Sequence, residues 1–223
     1  MKNKTLLFFL PILFFITNCE KYGKHEWENP TIIGINKLPP RAHFTSYESE
    51  LLAIKNDPSR SKNYISLNGK WKFKFSKNIK DKPENFYEMG FNDNDWDKIN
   101  VPGSWELQGW SFPIYLDEEY PFPPDPPFIP HKLNTVGSYK RKINLPQDWL
   151  KKDVFLKFGS VRSACYVWFN GKYIGYSQGS KTPTEFDVTE FVQAGENQVA
   201  VQVYRFSDGS YLEGQDTWRI SGL

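Results

Sequence analysis

A chain of 223 residues with 39% hydrophobic side chains is long enough to bury one sizeable core, which excludes an intrinsically disordered protein. Its 28 basic and 26 acidic residues are spread along the sequence and leave a net charge of +2, so there is neither a basic stripe for nucleic acid nor an acidic tail. The unusual figure is 17% aromatic residues, with 8 Trp, 12 Tyr and 18 Phe against 2 Met, a composition that suits β-structure and also the C–H faces of sugar rings.

The first nineteen residues, MKNKTLLFFLPILFFITNC, place two lysines ahead of an apolar run from Leu6 to Ile16. A bilayer span needs ~20 apolar residues, so this shorter run, interrupted by Pro11, predicts a signal peptide over residues 1–19. Ile16-Thr17-Asn18-Cys19 resembles a bacterial lipobox, although Asn18 departs from the usual small residue before the cysteine. An acylated Cys19 would make the chain a periplasmic or outer-membrane lipoprotein of a Gram-negative bacterium, anchored through its lipid; an unacylated one leaves ordinary secretion. Either course exports the protein.

Residues 20–60 are polar and turn-rich and predict an irregular, extended arm laid over a domain that occupies 61–223. From Ser66 the pattern changes. LNGKWKFKF sets Trp71, Phe73 and Phe75 at period two with lysines between them, a strand with one wet face. GSYKRKINL and DVFLKFGSV predict two more strands, and NQVAVQVYRF another, with Val199, Val201 and Val203 on one side. In ACYVWFNGKYIGYS, Asn170-Gly171 stands between two apolar arms and predicts a hairpin with a tight turn of positive φ. PQDWLKKD and TEFVQAG read as single helical turns, and no long amphipathic helix occurs. The fold class expected is all-β, an antiparallel jelly-roll β-sandwich.

Little else carries chemistry. Of the 2 cysteines, Cys165 lies in the apolar stretch SACYVWF and reads as a buried, inert thiol. The 3 histidines, His25, His43 and His131, are too scattered to suggest a zinc site. YPFPPDPPFIP, residues 120–130, is too proline-dense to join a sheet and reads as a rigid loop that holds its neighbours.

The segments LNGKWKF, VPGSWELQGW, PIYLDEEYPF, PPFIP, GSYKRKINLPQDW and the long closing run through SDGSYLEGQDTWRISGL follow one another in a recognisable order. Together, from about Arg41 to Leu223, they resemble the amino-terminal sugar-binding domain of the family 2 glycoside hydrolases, within that family the large β-galactosidases. The resemblance implies the galactose-binding-type jelly roll. It also implies that WRISG leads on to an immunoglobulin-like domain and a catalytic barrel, which are absent from this sequence. That barrel would supply the general acid/base and the nucleophile, two glutamates about 5 Å apart in a retaining enzyme. The expectation is therefore the leading fragment of an exported β-galactosidase, inactive alone, with galactosides as ligands and a full-length enzyme that is homo-oligomeric. A free-standing carbohydrate-binding module and a nonfunctional remnant are the alternatives.

By the same resemblance Asp216, in EGQDTW, contacts galactose hydroxyls and a bound sodium ion, for which a carboxylate is a suitable hard ligand. The residues alone would make it a turn cap. Asp117, in YLDEEYP, matches a position where the family places an asparagine, so it is a second substrate-binding candidate with an altered hydrogen-bonding pattern. The remaining sodium ligands, and any magnesium, would belong to the absent barrel. Glu185, Asp187 and Glu213 are assigned to structure. Trp218 and Tyr211 are expected in core or inter-domain packing, and Trp105 and Trp110 at the edge of the pocket.

Overall fold

The computed structural model describes residues 22–223, so the predicted leader and Cys19 lie outside the described residues. Eleven strands form among them: β1 (Gly34–Ile35), β2 (Gly69–Ser76), β3 (Asp97–Val101), β4 (Ile114–Leu116), β5 (Val136–Leu145), β6 (Phe155–Phe158), β7 (Ala164–Phe169), β8 (Lys172–Gln178), β9 (Thr184–Asp187), β10 (Gly195–Tyr204) and β11 (Thr217–Arg219). The helices are short: α1 (Glu50–Lys55), α2 (Ser210–Glu213) and several single 3-10 turns, two of which fall in PQDWLKKD and TEFVQAG as expected. No described helix is long and apolar enough to cross a membrane.

Seven strands make one antiparallel sheet in the order β1-β8-β7-β10-β5-β2-β3. The Asn170-Gly171 turn joins β7 to β8 with φ of 48° and 77°, the left-handed conformation that two-residue hairpins require. β6 and β9 pair as a second, smaller layer, and β4 and β11 pair as a separate ribbon. The sandwich is thus an unequal one.

Its main core follows from the period of two. Val199, Val201 and Val203 of β10 point to the same side as Phe73, Tyr139 and Val167, and meet Leu156, Phe158, Phe186 and Val188 from the small layer. Each large apolar side chain buried there contributes about 1.5–3 kcal/mol. The opposite face of the sheet is covered too. Trp27 from the arm stacks on Tyr204 at 5.5 Å between ring centres, within a second cluster that includes Phe122, Ile129, Phe206 and Tyr211. Phe86 and Trp96 cover Ala200 and Trp168.

Closure on both faces changes what the alternation means. The lysines of β2 are not simply wet: Lys74 pairs with Asp95 at 3.0 Å, and Lys72 pairs with Asp93. Asp93 also holds Lys140 of β5 at 3.1 Å, and Lys140 is only 4% exposed. Gln198 of β10, equally buried, donates from its amide to the Tyr87 carbonyl at 2.9 Å. Lys140 and Gln198, both buried on this face, are therefore partnered, as their desolvation demands.

The arm is more regular than the expected extended course. It contributes edge strand β1 to the large sheet, and SYESELLAIKN folds into α1, with the Ser49 hydroxyl accepting from the Leu52 N–H at 3.4 Å and Asn56 closing the helix in the left-handed region. The proline-rich loop is pinned at several points. The Tyr211 hydroxyl accepts from the Asp125 N–H at 3.1 Å and donates to the Phe128 carbonyl at 2.6 Å, and the Ile129 N–H donates to Glu28 at 3.0 Å.

Candidate functional site

The ribbon is built from two segments of three residues each, IYL and TWR, which pair in the register Thr217↔Leu116, Trp218↔Tyr115 and Arg219↔Ile114. So short a ribbon does not hold itself in place. Two buried arginines fix it by donating to nearby main-chain carbonyls. Arg219 donates to the Leu116 carbonyl at 3.1 Å and to that of Glu119 at 2.9 Å. Arg205, at the end of β10, donates to the Ser111 hydroxyl and the Phe112 carbonyl, each at 2.9 Å. The planar guanidinium, with several fixed donors, suits this task.

At the ribbon's end Asp216 takes a positive φ of 48°, and its N–H donates to the Asp117 carbonyl at 3.0 Å. The pairing brings the two sequence-predicted residues, ninety-nine positions apart in the chain, face to face. Both are exposed. The Tyr115 hydroxyl donates to Asp216 Oδ1 at 2.8 Å, which fixes that carboxylate's direction. The Asp216 carboxylate, first by this hydrogen bond and then by its charge, with Asp117 adding to the effect, pushes the Tyr115 phenol above its ordinary pKa. Tyr115 and Trp218 tilt against one another across the ribbon at 5.3 Å and remain 48% and 54% exposed.

An exposed cluster of two carboxylates, a phenol and two aromatic faces can do two things. Its carboxylates accept charge-assisted hydrogen bonds from hydroxyls, and its rings offer packing for C–H faces. Its donors are all oxygens, the type that a hard alkali cation takes. The set is partial, since among the described residues no group of three or more His, Cys, Asp or Glu is disposed to hold a metal ion. His25 and His131 do approach one another, at 5.7 Å between ring centres, but they pack around Trp27, and His131 hydrogen-bonds Glu28 at 3.0 Å.

The other singled-out residues have structural partners. Glu213 accepts from the Ser180 N–H at 2.9 Å and from the Ser180 hydroxyl. Glu185 pairs with Arg41 at 2.7 Å and Lys157 at 3.3 Å, and Asp187 accepts from the Thr189 N–H at 2.9 Å. Tyr211 is in a core. Trp218 is not; it lies on the surface. Trp105 does not line a pocket edge, because it is wholly buried against Phe73, Phe75 and Tyr139, whose hydroxyl accepts from its indole N–H. Trp110 is half-buried on Phe73 at 5.0 Å. Cys165 is fully buried, and burial pushes its thiol up to about 12. A groove of about 850 Å³ lies elsewhere, between the arm and the small layer, lined in part by Phe44, Tyr64, Trp149 and Phe155; it holds neither Asp117 nor Asp216.

Sequence reasoning missed Tyr115, Arg205 and Arg219 as site-building residues. The arginines sit in the YRF and TWRI segments, but their partners, the Ser111 hydroxyl and the carbonyls of Phe112, Leu116 and Glu119, lie far back along the chain, which no local pattern encodes.

The sequence model described as "Glycosyl hydrolases family 2, sugar binding domain" matches residues 64–223. The chain is 44% identical over 206 residues to the "Beta-galactosidase" of Priestia megaterium, covering 90% of this chain and 20% of that protein. It is 42% identical over 205 residues to the "Beta-galactosidase" of Vibrio vulnificus, covering 90% of this chain and 19% of that one. Among solved structures, "Uncultured Clostridium sp. Beta-glucuronidase" superposes with a TM-score of 0.46 at 28% identity, covering 62% of this chain and 21% of the other. The chain therefore spans about one fifth of the length of the curated relatives it matches. The match over residues 64–223 takes in most of the chain, with the ribbon and both its carboxylates inside it, and on that ground the chain belongs to family 2 of the glycosyl hydrolases as their sugar-binding domain.

Proposed function

We propose that these residues are the leading part of an exported β-galactosidase, a retaining glycosidase that removes terminal non-reducing β-D-galactose. In this reading the ribbon's carboxylates complete the galactose subsite. The observation that carries it is the meeting of Asp117 and Asp216 at an exposed end of the ribbon, beside Tyr115 and Trp218. Asp216 binds and orients a sugar hydroxyl and contributes one ligand to a sodium ion, whose positive charge would draw a hydroxyl oxygen toward the subsite. Tyr115 holds the Asp216 carboxylate in place, and Asp117 supplies a second acceptor where a galactose hydroxyl donates. The general acid/base and nucleophile belong to the length of the relatives that these residues do not span, as does any magnesium.

The test is hydrolysis of a chromogenic β-galactoside. The 223-residue chain alone gives no turnover above a blank. The chain substituted for the matching fifth of the Priestia megaterium relative gives turnover. Turnover by the chain alone, or none from a folded chimera, contradicts the reading. Export is tested at Cys19: a fatty-acid analogue labels the wild type and not Cys19→Ser, whereas equal labelling of both counts against the lipid anchor.

A second reading, a free-standing carbohydrate-binding module, is favoured by the aromatic groove that holds Phe44, Tyr64 and Phe155. Titration of galacto-oligosaccharides into the isolated chain separates the two. A single exposed carboxylate cluster gains too little over water to bind a sugar tightly, so the first reading predicts at most millimolar affinity.

A further inference from the structure

Beneath the turn that carries Asp216, Arg162, Arg205 and Arg219 converge on a cavity of about 10 Å³, bounded also by Glu213, Gly214 and Ser221. Such a volume admits roughly one water-sized particle. Arg205 and Arg219 are each 5% exposed. Their terminal nitrogens are engaged by Ser111 and by the carbonyls of Phe112, Leu116 and Glu119, yet in both the Nε–H is buried without an acceptor. A buried cationic N–H left in that condition keeps its desolvation cost with nothing to offset it.

The nearby carboxylates do not supply what is needed. Both oxygens of Glu213 accept from Ser180. Glu106 accepts from the Ser221 N–H at 2.9 Å through Oε2, and its Oε1 stands 3.6 Å from Arg205 Nη2, beyond a hydrogen bond. Three guanidiniums thus face two carboxylates, and the excess is a single positive charge. Burial disfavours the charged form of all three arginines; Arg162 adds to that disfavour at Arg219, and Glu106 and Glu213 relieve it at Arg162.

We propose that this cavity is a binding site for one small monovalent anion, of the chloride class, held by the Nε–H groups of Arg205 and Arg219 and by the Arg162 guanidinium. Arg162 is the least enclosed of the three, so its side chain can move outward to admit an ion slightly larger than water. The anion would tie α2, β11 and residue 162 together directly below Asp216, and so stiffen the ribbon that presents the carboxylates.

The test is thermal unfolding of the 223-residue chain in sodium chloride and in sodium gluconate, an anion too large for the cavity, at one ionic strength. Chloride raises the midpoint saturably by about 2–4 °C over gluconate. Arg162→Gln loses that difference while still unfolding cooperatively. Anomalous diffraction from a bromide-soaked crystal of the wild type shows a peak between the three arginines, a readout independent of the variant. Equal midpoints in the two salts, a chloride effect that survives in Arg162→Gln, or a water in the cavity with no bromide peak would each overturn the proposal.

Discussion

Trp71, Phe73, Trp105 and Tyr139 in and around the large sheet are at most 2% exposed, whereas Tyr115 and Trp218 on the β4–β11 ribbon keep about half their surface, at 48% and 54%. Both regions are antiparallel and rich in aromatic residues. In the sheet, layers close on both faces and the rings interlock; on the ribbon, one cross-strand pair stands alone and polar oxygens flank it. The difference separates two tasks. Packing of the sheet supplies stability, and the ribbon, fixed by two buried arginines, presents exposed acceptors and ring faces to whatever meets it. A site assembled on such a ribbon can change its residues at little cost to the fold.

That contrast can be broken most forcefully in the sheet. Trp105→Ala removes a fully buried indole and leaves the Tyr139 hydroxyl without its donor, so it should cost about 3–5 kcal/mol in denaturant unfolding. A loss below about 1 kcal/mol would mean that the two regions do not differ as described. Next, Asp93→Ala leaves Lys140 buried and unpaired, and about 3 kcal/mol is expected. Burial acts to raise the Asp93 pKa, but the Lys72 and Lys140 ammonium groups outweigh it and hold the carboxyl below its ordinary 3.8. The stability that Asp93 contributes is therefore present above 3.8 and lost as pH falls through the lower folded value. In Asp93→Ala the acid limb of a pH–stability profile should be flatter; an unchanged limb refutes this role.

On the ribbon the same measurements should return little. Trp218→Ala, which removes a half-exposed ring touching Tyr115, should change stability by less than about 0.5 kcal/mol. Smaller still is the electrostatic signature at Tyr115. Its raised phenol contributes stability that is complete below the ordinary value of 10.0 and disappears as pH rises through the folded value. Ultraviolet titration should place this tyrosine above 10.0, and Asp216→Asn should bring it back down. No difference between wild type and variant would remove Tyr115 as the residue that orients Asp216.

The sheet was largely legible because its signals are local. Alternation in WKFKF and VAVQV gives strands, and Asn-Gly gives the hairpin, each within ten residues. What alternation cannot say is that the segment holding Phe86 and Trp96 covers the polar side, so the burial of Lys140 and Gln198 was invisible; their partners, Asp93 and Tyr87, lie far along the chain. Trp105 misled for a related reason. Its place in the chain near the PIY segment suggests the edge of the pocket, but its ring turns inward to Phe73. Helix α1 carried its capping signals, Ser49 and Asn56, inside a stretch whose polarity otherwise indicated an extended arm. Asp216 and Asp117 became visible only through the family resemblance, since their juxtaposition depends on a ribbon of three-residue strands. The arginines beneath them left no trace at all in local pattern.

The central claim is that the ribbon's carboxylates serve galactose and sodium once the rest of a family 2 enzyme surrounds them. It is tested most directly by steady-state kinetics across a sodium titration, in a chimera that carries these 223 residues in place of the matching fifth of the Priestia megaterium relative. Asp216→Asn should weaken galactoside binding and the response to sodium by about 1.5–3 kcal/mol, the range for a lost charge-assisted hydrogen bond, while Asp117→Asn should be mild or improve turnover. If Asp216→Asn leaves both the Michaelis constant and the sodium dependence unchanged, Asp216 is a turn residue and the account of this site is wrong.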